Sequence, residues 1–130
     1  MEVVDYFLQL AFDGRADESR AIVAERAGEV VGLALFGEVA GAAGTGRMHL
    51  ITVTASARLA TVGGGLCNAA VADMVSRGDR LIVAEVPDDP ILTSGRGLLA
   101  RSGFAASGRV ADYYRDGVDL VILTRVAHLP

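Results

Sequence analysis

The stretch with the clearest chemical potential is a run of three glycines, Gly63–Gly65, between an apolar strand and a long apolar segment. In that segment Leu66, Ala70 and Met74 recur at the spacing i, i+4, which predicts a helix packed on a sheet. The first turn of a helix carries unpaired N–H groups and a partial positive charge, and glycine lets an anion approach them closely. The pattern therefore favours a phosphate-binding site, with a purely structural turn as the alternative.

Composition and charge narrow the range of functions. A chain of 130 residues suits one domain with a proper core, and a net charge of −4 provides no basic surface for nucleic acid. No apolar run approaches the ~18 residues of a membrane span. Cys67 is the only cysteine, which excludes a disulfide framework and a cysteine-based zinc site and is typical of a buried core thiol. We expect a cytoplasmic protein without metal.

The first half of the chain is predicted to contain a helix, a hairpin and a strand. Val3, Phe7 and Leu10 fall on one helical stripe, and an Ala-Gly-Glu turn separates two apolar runs. The predicted elements are a helix over 1–12, a loop over 13–19, strands over 21–25 and 30–36, a loop over 37–46 and a strand over 47–54.

The second half is predicted to alternate between helices and strands and to close with a hairpin. Gly78 is a plausible C-cap for the helix that follows the glycine run, and Thr93 or Ser94 is a candidate N-cap for a second helix. The predicted elements are a strand over 79–86, a helix over 91–102 and strands over 105–114 and 118–126 around a turn at 115–117. Together these predict a single α/β domain over 1–130, with a mixed, mostly antiparallel sheet flanked by helices.

This order of elements resembles the GNAT superfamily of acetyl-CoA-dependent N-acetyltransferases, and the resemblance covers the chain from Ala21 to Val126. GEVVGLALFG is similar to a hairpin of that family, HLITV with the later GGG to its acetyl-CoA motif, and RLIVAEVPDDP to its following strand. The most specific part is the ending GRGLLARSGFAASGRVADYYRDGVDLVIL, in which Gly-Phe, Asp-Tyr-Tyr and Asp-Gly all lie in register with one bacterial branch.

The resemblance implies a set of residues that hold acetyl-CoA. In the family, an open strand edge binds the pantetheine arm as an added strand, and the helix N-terminus binds the pyrophosphate. Carried over by position, the cofactor-binding residues are the backbones of Ile51 and Val53, the N–H groups of Gly63, Gly64, Gly65 and Leu66, and the side chains of Arg58 and of Thr93 or Ser94.

The sequence departs from the family pattern at several positions. Counted back from Gly63, the usual Gln or Arg position is Ala60, with Arg58 two residues earlier. The tyrosine that commonly protonates the leaving thiolate falls at Leu99, which has no proton to give. The N-terminal part of the fold is also predicted to be shortened, here to one helix.

Four residues are candidates for the chemistry of acetyl transfer. Strand parity places His49 on one face with Ile51 and Val53, and an imidazole suits a general base near neutral pH. Glu85 lies within an apolar strand and is a candidate to bind the acceptor ammonium. The structural alternative for His49 is a partly buried histidine without a catalytic role. For Glu85 it is a solvent-exposed charge at the edge or end of a strand.

Tyr113 and Tyr114 are candidates for the missing acid. Because they are adjacent, strand geometry predicts that their side chains face opposite ways, so that one replaces the family tyrosine and the other packs. The alternative is that both only pack or line the acceptor site.

The leading hypothesis is an N-acetyltransferase that moves an acetyl group from acetyl-CoA to a primary amine of a small molecule or a protein. The alternative is a catalytically degenerate acyl-CoA-binding, regulatory or interaction module with the same fold, which Ala60 and Leu99 motivate. By analogy a homodimer is expected, with no nucleic-acid or membrane partner.

Overall fold

The computed structural model describes residues 7–13, 19–54 and 62–127. These residues form one mixed sheet with helices packed against it, as the sequence predicts. The elements are β1 (Phe7–Asp13), β2 (Ser19–Arg26), β3 (Glu29–Glu38), β4 (Thr45–Val53), α1 (Val62–Ser76), β5 (Leu81–Pro87), a 3₁₀ turn (Pro90–Leu92), α2 (Thr93–Arg101), β6 (Ala105–Arg115) and β7 (Val118–Val126).

The sheet has the strand order β1-β2-β3-β4-β5-β7-β6. Among these neighbouring strands only β4 and β5 run parallel, and α1 makes the crossover between them. A parallel pair requires such a crossover, whereas the antiparallel pairs β2–β3, β3–β4 and β6–β7 are each joined by a short connection. The antiparallel pair β5–β7 is connected through α2 and β6. The β4–α1–β5 unit therefore lies at the centre of the sheet.

The core lies between this sheet and the two helices. Leu66 and Met74 of α1 are fully buried against Phe36 of β3 and Ile82 of β5. The helix approaches β3 so closely that a Cβ at Gly32 would lie 2.7 Å from Leu66 Cδ1. None of the helices in the described ranges is long and apolar enough to cross a membrane.

The two predicted hairpin turns and the predicted end of α1 are confirmed. Ala27 and Gly28 both have positive φ angles, 51° and 82°, as a two-residue type I′ turn requires. Gly117 has a φ of 81° in the turn between β6 and β7. Gly78 follows the last turn of α1 with a φ of 101°, which is the left-handed conformation of a C-cap glycine.

The prediction of an N-terminal helix is wrong for residues 7–12, which belong to β1; residues 1–6 lie outside the described residues. β1 pairs antiparallel with β2, and a register shift falls between Leu10 and Phe12. Such a bulge breaks the strict alternation of a strand, so the apolar residues mimic a helical stripe.

Other boundaries also differ from the prediction. The loop predicted over 37–46 is shorter, because β3 continues to Glu38 and β4 begins at Thr45. α1 begins at Val62, so the three glycines form its first turn and not a loop before it. Leu92 occupies the N-cap position of α2 without a side-chain cap, so neither Thr93 nor Ser94 has the predicted capping role.

Candidate active site

The parallel strands β4 and β5 pair over only part of their length. The last paired residues are Met48 and Ala84, so β4 and β5 are no longer paired with each other from His49 and Glu85 onward. The N–H of Thr54 donates to the carbonyl of Val31 at 2.8 Å, towards β3. Since successive residues of a strand direct their amides to opposite edges, the odd positions before Thr54 direct theirs towards β5. The backbone groups of Ile51 and Val53 on that edge are therefore directed towards β5, and those of Ile51 line the gap between the two strands.

A cavity of about 190 Å³ lies in this gap, between β4, β5 and α2. Among the described residues its walls are mainly apolar, and the polar side chains that line it are His49 and Glu85. The apolar residues that line it include Met48, Ile51, Ala84, Val86, Leu98 and Leu99. The arrangement suits an elongated ligand with a reactive group near the two polar side chains.

The first turn of α1 lies close to one end of this gap. A Cβ at Gly63 would lie 3.1 Å from Leu98 and 3.7 Å from Val53, whereas one at Gly64 would have no heavy atom within 4 Å. The turn therefore touches β4 and α2 at Gly63 and faces open space at Gly64. An anion at the end of the gap would meet the positive end of the helix.

The helix boundary changes which amides are available to an anion. Because α1 begins at Val62, the amides of Gly65 and Leu66 already lie where an α-helix pairs each amide with the carbonyl four residues earlier. The side chain of Leu66 is fully buried. Of the four predicted amides, only those of Gly63 and Gly64 remain candidates for binding a pyrophosphate.

Two predicted cofactor contacts cannot be placed. Arg58 lies outside the described residues. Thr93 and Ser94 form the first turn of α2, but their side chains lie outside the described part of the chain. Their predicted roles stay predictions.

Strand parity predicted that His49 shares a face with Ile51 and Val53, and this prediction is wrong. Met48 pairs with Phe36 and Leu50 with the preceding Leu35, which leaves His49 as the extra residue of a β-bulge. The bulge shifts the alternation, so Met48 and Ile51 both pack towards the helices while His49 is exposed. Partial burial of the imidazole, followed by the charge of Arg47, lowers the pKa of His49. The charge of Glu85 acts in the opposite direction and partly offsets this lowering.

Glu85 is on the same side of the sheet as His49. In β5, Ile82 and Ala84 are buried beneath the helices, so Glu85 points to the opposite face. Its carboxylate lies 3.4 Å from the guanidinium of Arg47 on β4. The structure therefore places Glu85 at the cavity with a positively charged neighbour, an arginine that the sequence reasoning did not identify.

Tyr113 and Tyr114 do not face opposite ways. Their ring centroids are 4.9 Å apart at an interplanar angle of 78°, an edge-to-face contact. Both lie in an irregular part of β6, between the pairs Val110–Leu120 and Arg115–Val118. Both rings are exposed, 56% for Tyr113 and 41% for Tyr114, so neither belongs to the core.

Asp112 maintains this irregular segment. It has a positive φ of 53°, its N–H donates to Asp119 Oδ1 at 2.9 Å, and its own Oδ1 accepts from the N–H of Gly117 at 2.7 Å.

Burial, followed by the charge of Glu85, raises the pKa of Tyr114, so the phenol keeps its proton at neutral pH. The charge effect also shows that Tyr114 lies within electrostatic reach of Glu85.

Leu99 is buried and forms part of the cavity wall. The wall therefore has no proton donor at the position where the resemblance implies a tyrosine.

Cys67 is fully buried, as predicted for a core thiol, and burial raises its pKa. The described residues contain no group of three or more side chains suited to a metal ion.

The chain was compared with known proteins. No family model and no curated protein matches it. Among solved structures it is similar to a protein described as a GNAT-family acetyltransferase from Desulfovibrio desulfuricans, with a TM-score of 0.80 and 25% identity. That match covers 83% of this chain and 68% of the other.

Two further structures support the same fold. The ribosomal-protein-S18-alanine N-acetyltransferase of Escherichia coli has a TM-score of 0.73 and 15% identity, over 89% of this chain and 74% of its own. A GNAT-family acetyltransferase of Elizabethkingia anophelis with acetyl-CoA bound has a TM-score of 0.72 and 14% identity, over 84% and 76%. The chain therefore has the fold of the GNAT acetyltransferase superfamily, as its sequence indicates.

Proposed function

We propose that this protein is an acetyl-CoA-dependent N-acetyltransferase acting on a primary amine. The observation that carries the proposal is the gap between β4 and β5 beyond Met48 and Ala84, with the first turn of α1 at one end. An open strand edge suits the amide-containing pantetheine arm, and a helix N-terminus suits the pyrophosphate. A structural neighbour with acetyl-CoA bound supports the choice of ligand.

The proposed binding mode assigns a task to each part of the gap. The backbone of Ile51 pairs with the pantetheine arm beside Val53, and the amides of Gly63 and Gly64 bind the pyrophosphate. The apolar walls exclude water around the thioester, which strengthens electrostatic interactions there. The thioester then lies near the pair His49 and Glu85.

The proposed chemistry is direct transfer. Glu85 holds the acceptor as an ammonium, and His49 removes a proton, since only the neutral amine attacks. The amine nitrogen bonds to the carbonyl carbon, the carbon–sulfur bond breaks, and the thiolate takes a proton from Tyr114 or from water. The proton that the nitrogen loses as the amide forms replaces the one given to the thiolate, either on Tyr114 or in the solvent. Positioning the two reactants together supplies much of the rate, so an acid on α2 is not obligatory.

The acceptor class is a small-molecule amine or a protein amino group. Neighbours that act on a ribosomal-protein alanine support protein acceptors as one option. A cytoplasmic location, a homodimer, and the absence of nucleic-acid and membrane partners stay predictions.

A second candidate function is acyl-CoA binding without efficient transfer. Leu99 supports it, because the cavity wall lacks the acid that the family resemblance implies. The two functions differ in one measurable step, the release of free CoA thiol in the presence of an amine.

The test is thiol release from acetyl-CoA with a panel of primary amines, followed by mass spectrometry of the acceptor. We expect amine-dependent release and an acceptor heavier by one acetyl group. Replacing Glu85 by Gln should lower kcat/KM for the amine about tenfold or more, the typical effect of losing a charged hydrogen bond. Saturable acetyl-CoA binding without release on any amine would favour the non-catalytic module.

A further inference from the structure

Arg47 is a cation at the reaction site to which the proposed mechanism gives no task. Its side chain is 37% exposed, and one guanidinium nitrogen lies 3.4 Å from Glu85. Its Nε is buried without a hydrogen-bond partner among the described residues. A guanidinium has five N–H donors in a planar fork, so this arginine retains most of its binding capacity.

The surroundings of Arg47 place it beside the reacting groups. Arg47 and His49 alternate with Met48, which is buried beneath the helices, so both side chains lie on the opposite face of the sheet. The charges of Arg47 and Glu85 both act on His49, and the charge of Glu85 acts on Tyr114. One face therefore combines a cation, an anion and an imidazole, and Tyr114 lies within reach of the charge of Glu85.

The ion pair between Arg47 and Glu85 is weakly held. Exposed pairs of this kind contribute little to stability, and a separation of 3.4 Å is long for a charge-assisted hydrogen bond. A ligand that supplies an ammonium to Glu85 and an anion to Arg47 replaces one weak contact by two. A ligand with only an amine would compete with Arg47 for the same carboxylate.

We propose that the acceptor is a small zwitterion, an amine with a carboxylate on a nearby carbon, in which Arg47 binds the carboxylate while Glu85 holds the amine. This inference rests on the proposed function and specifies its acceptor. An α-amino acid carries its two charges on one carbon, which matches two neighbouring side chains of opposite charge. Tyr114 lies within reach of the Glu85 charge and its exposed ring contacts that of Tyr113, which favours an acceptor with an apolar or flat side chain.

The test compares acceptors that differ only in the carboxylate. L-tyrosine is compared with tyramine and L-lysine with cadaverine, and a tripeptide amide represents a protein N-terminus. Wild-type protein is expected to give a kcat/KM at least tenfold higher for each amino acid than for its decarboxylated partner, the usual effect of a charge-assisted hydrogen bond. Equal or higher values for the amines or the tripeptide amide would overturn the inference.

Variants identify Arg47 as the source of the preference. Arg47→Gln should raise KM for L-tyrosine at least tenfold, while KM for acetyl-CoA stays nearly unchanged and KM for tyramine stays the same or falls, because Arg47 no longer competes for Glu85. Arg101→Gln, at the end of α2 and away from the cavity lining, is the matched control for the loss of one positive charge. An equal loss for L-tyrosine and tyramine in Arg47→Gln would contradict a carboxylate contact.

Binding separates failure of this inference from failure of the proposed function. Calorimetric titration of L-tyrosine and of tyramine into the CoA-saturated protein gives the same comparison without any transfer. Stronger binding of L-tyrosine that is lost in Arg47→Gln supports the inference even if no acetyl group moves. Saturable CoA binding with no preference for L-tyrosine leaves the cofactor site in place and rejects the zwitterionic acceptor.

Discussion

Asp79 is a buried acid whose titration should change the stability of the protein. It lies between α1 and β5 with only 3% of its surface exposed, and Glu38 is its acidic neighbour. Arg20, itself 2% exposed, pairs with Asp73 at 2.8 Å and with Glu38 at 3.2 Å, so its charge is shared. Burial, then the Glu38 carboxyl, raise the pKa of Asp79 to about 7, and Arg20 only partly opposes this.

The sign of the pH effect follows from linkage. In the unfolded chain Asp79 titrates near 3.8, so between that pH and about 7 the native state binds more protons than the unfolded state. The contribution of Asp79 to the free energy of unfolding is fully present below the pKa of Asp79 in the unfolded chain. It is lost as the pH rises through the pKa of Asp79 in the folded protein. A rise of about three pH units at about 1.36 kcal/mol per unit sets an upper limit of about 4 kcal/mol. Because the side chains around Asp79 can rearrange as it ionises, about 1–3 kcal/mol is the expected range.

The perturbation is Asp79→Asn, which removes the titration and keeps the side-chain shape. Urea unfolding of wild type and variant at several pH values between about 5 and 8 gives the free energy of unfolding of each. The wild-type value minus the variant value should fall by about 1–3 kcal/mol across this range. Asp116→Asn, in an exposed turn, is the control and should show no such trend. A difference between wild type and Asp79→Asn that stays constant with pH would refute the reasoning.

Three further predictions concern packing and chemistry. Gly32→Ala should lower the free energy of unfolding by about 1–3 kcal/mol, because the new Cβ would lie 2.7 Å from Leu66 Cδ1; an unchanged thermal midpoint would contradict this packing. His49→Gln should reduce kcat about tenfold or more, because His49 is the proposed base. In the wild-type pH–rate profile the acidic limb should lie below pH ~6.5, since partial burial and Arg47 lower the pKa of His49. Tyr114→Phe should slow transfer to poorly basic acceptors without changing acetyl-CoA affinity, whereas unchanged transfer would exclude the phenol as acid.

Much of the fold was predictable because its signals are local. The Ala27-Gly28 turn, the Gly117 turn and the Gly78 cap each rest on a glycine with a positive φ angle, which only a few residue types tolerate. The helix stripe of α1 and the apolar strands then define the order of elements. The resemblance to the GNAT superfamily rests on the same order, which the solved structures confirm.

The errors arise where strand pairing overrides a local pattern. A bulge between β1 and β2 hides the alternation of residues 7–13, and a second bulge at His49 moves that residue to the opposite face from Ile51. A left-handed Asp112 brings Tyr113 and Tyr114 together instead of apart. A bulge depends on the partner strand, so a single sequence does not reveal it.

The candidate site was predictable in its residue types and only partly in its geometry. His49 and Glu85 both line the cavity, and Glu85 acts electrostatically on both His49 and Tyr114. The sequence did not indicate Arg47 as a site residue, because its place in the site depends on the pairing of β4 with β5. That pairing brings Glu85 within 3.4 Å of Arg47. A contact between strands so far apart in sequence leaves no signal in residue spacing.

Binding of acetyl-CoA at the gap between β4 and β5 can be measured as a thermal shift, with CoA and a plain nucleotide as controls. At a hundredfold excess over Kd, a ligand that binds only the folded state stabilises it by about 2.7 kcal/mol, which moves the midpoint of a domain of this size by several degrees. Gly64→Leu places a bulky side chain in open space at the start of α1, whereas Asn68→Leu makes a similar change at an exposed position farther along the same helix. Wild type and Asn68→Leu should show a clear shift with acetyl-CoA, and Gly64→Leu should show none. No shift in wild type at millimolar acetyl-CoA, or an undiminished shift in Gly64→Leu, would contradict it.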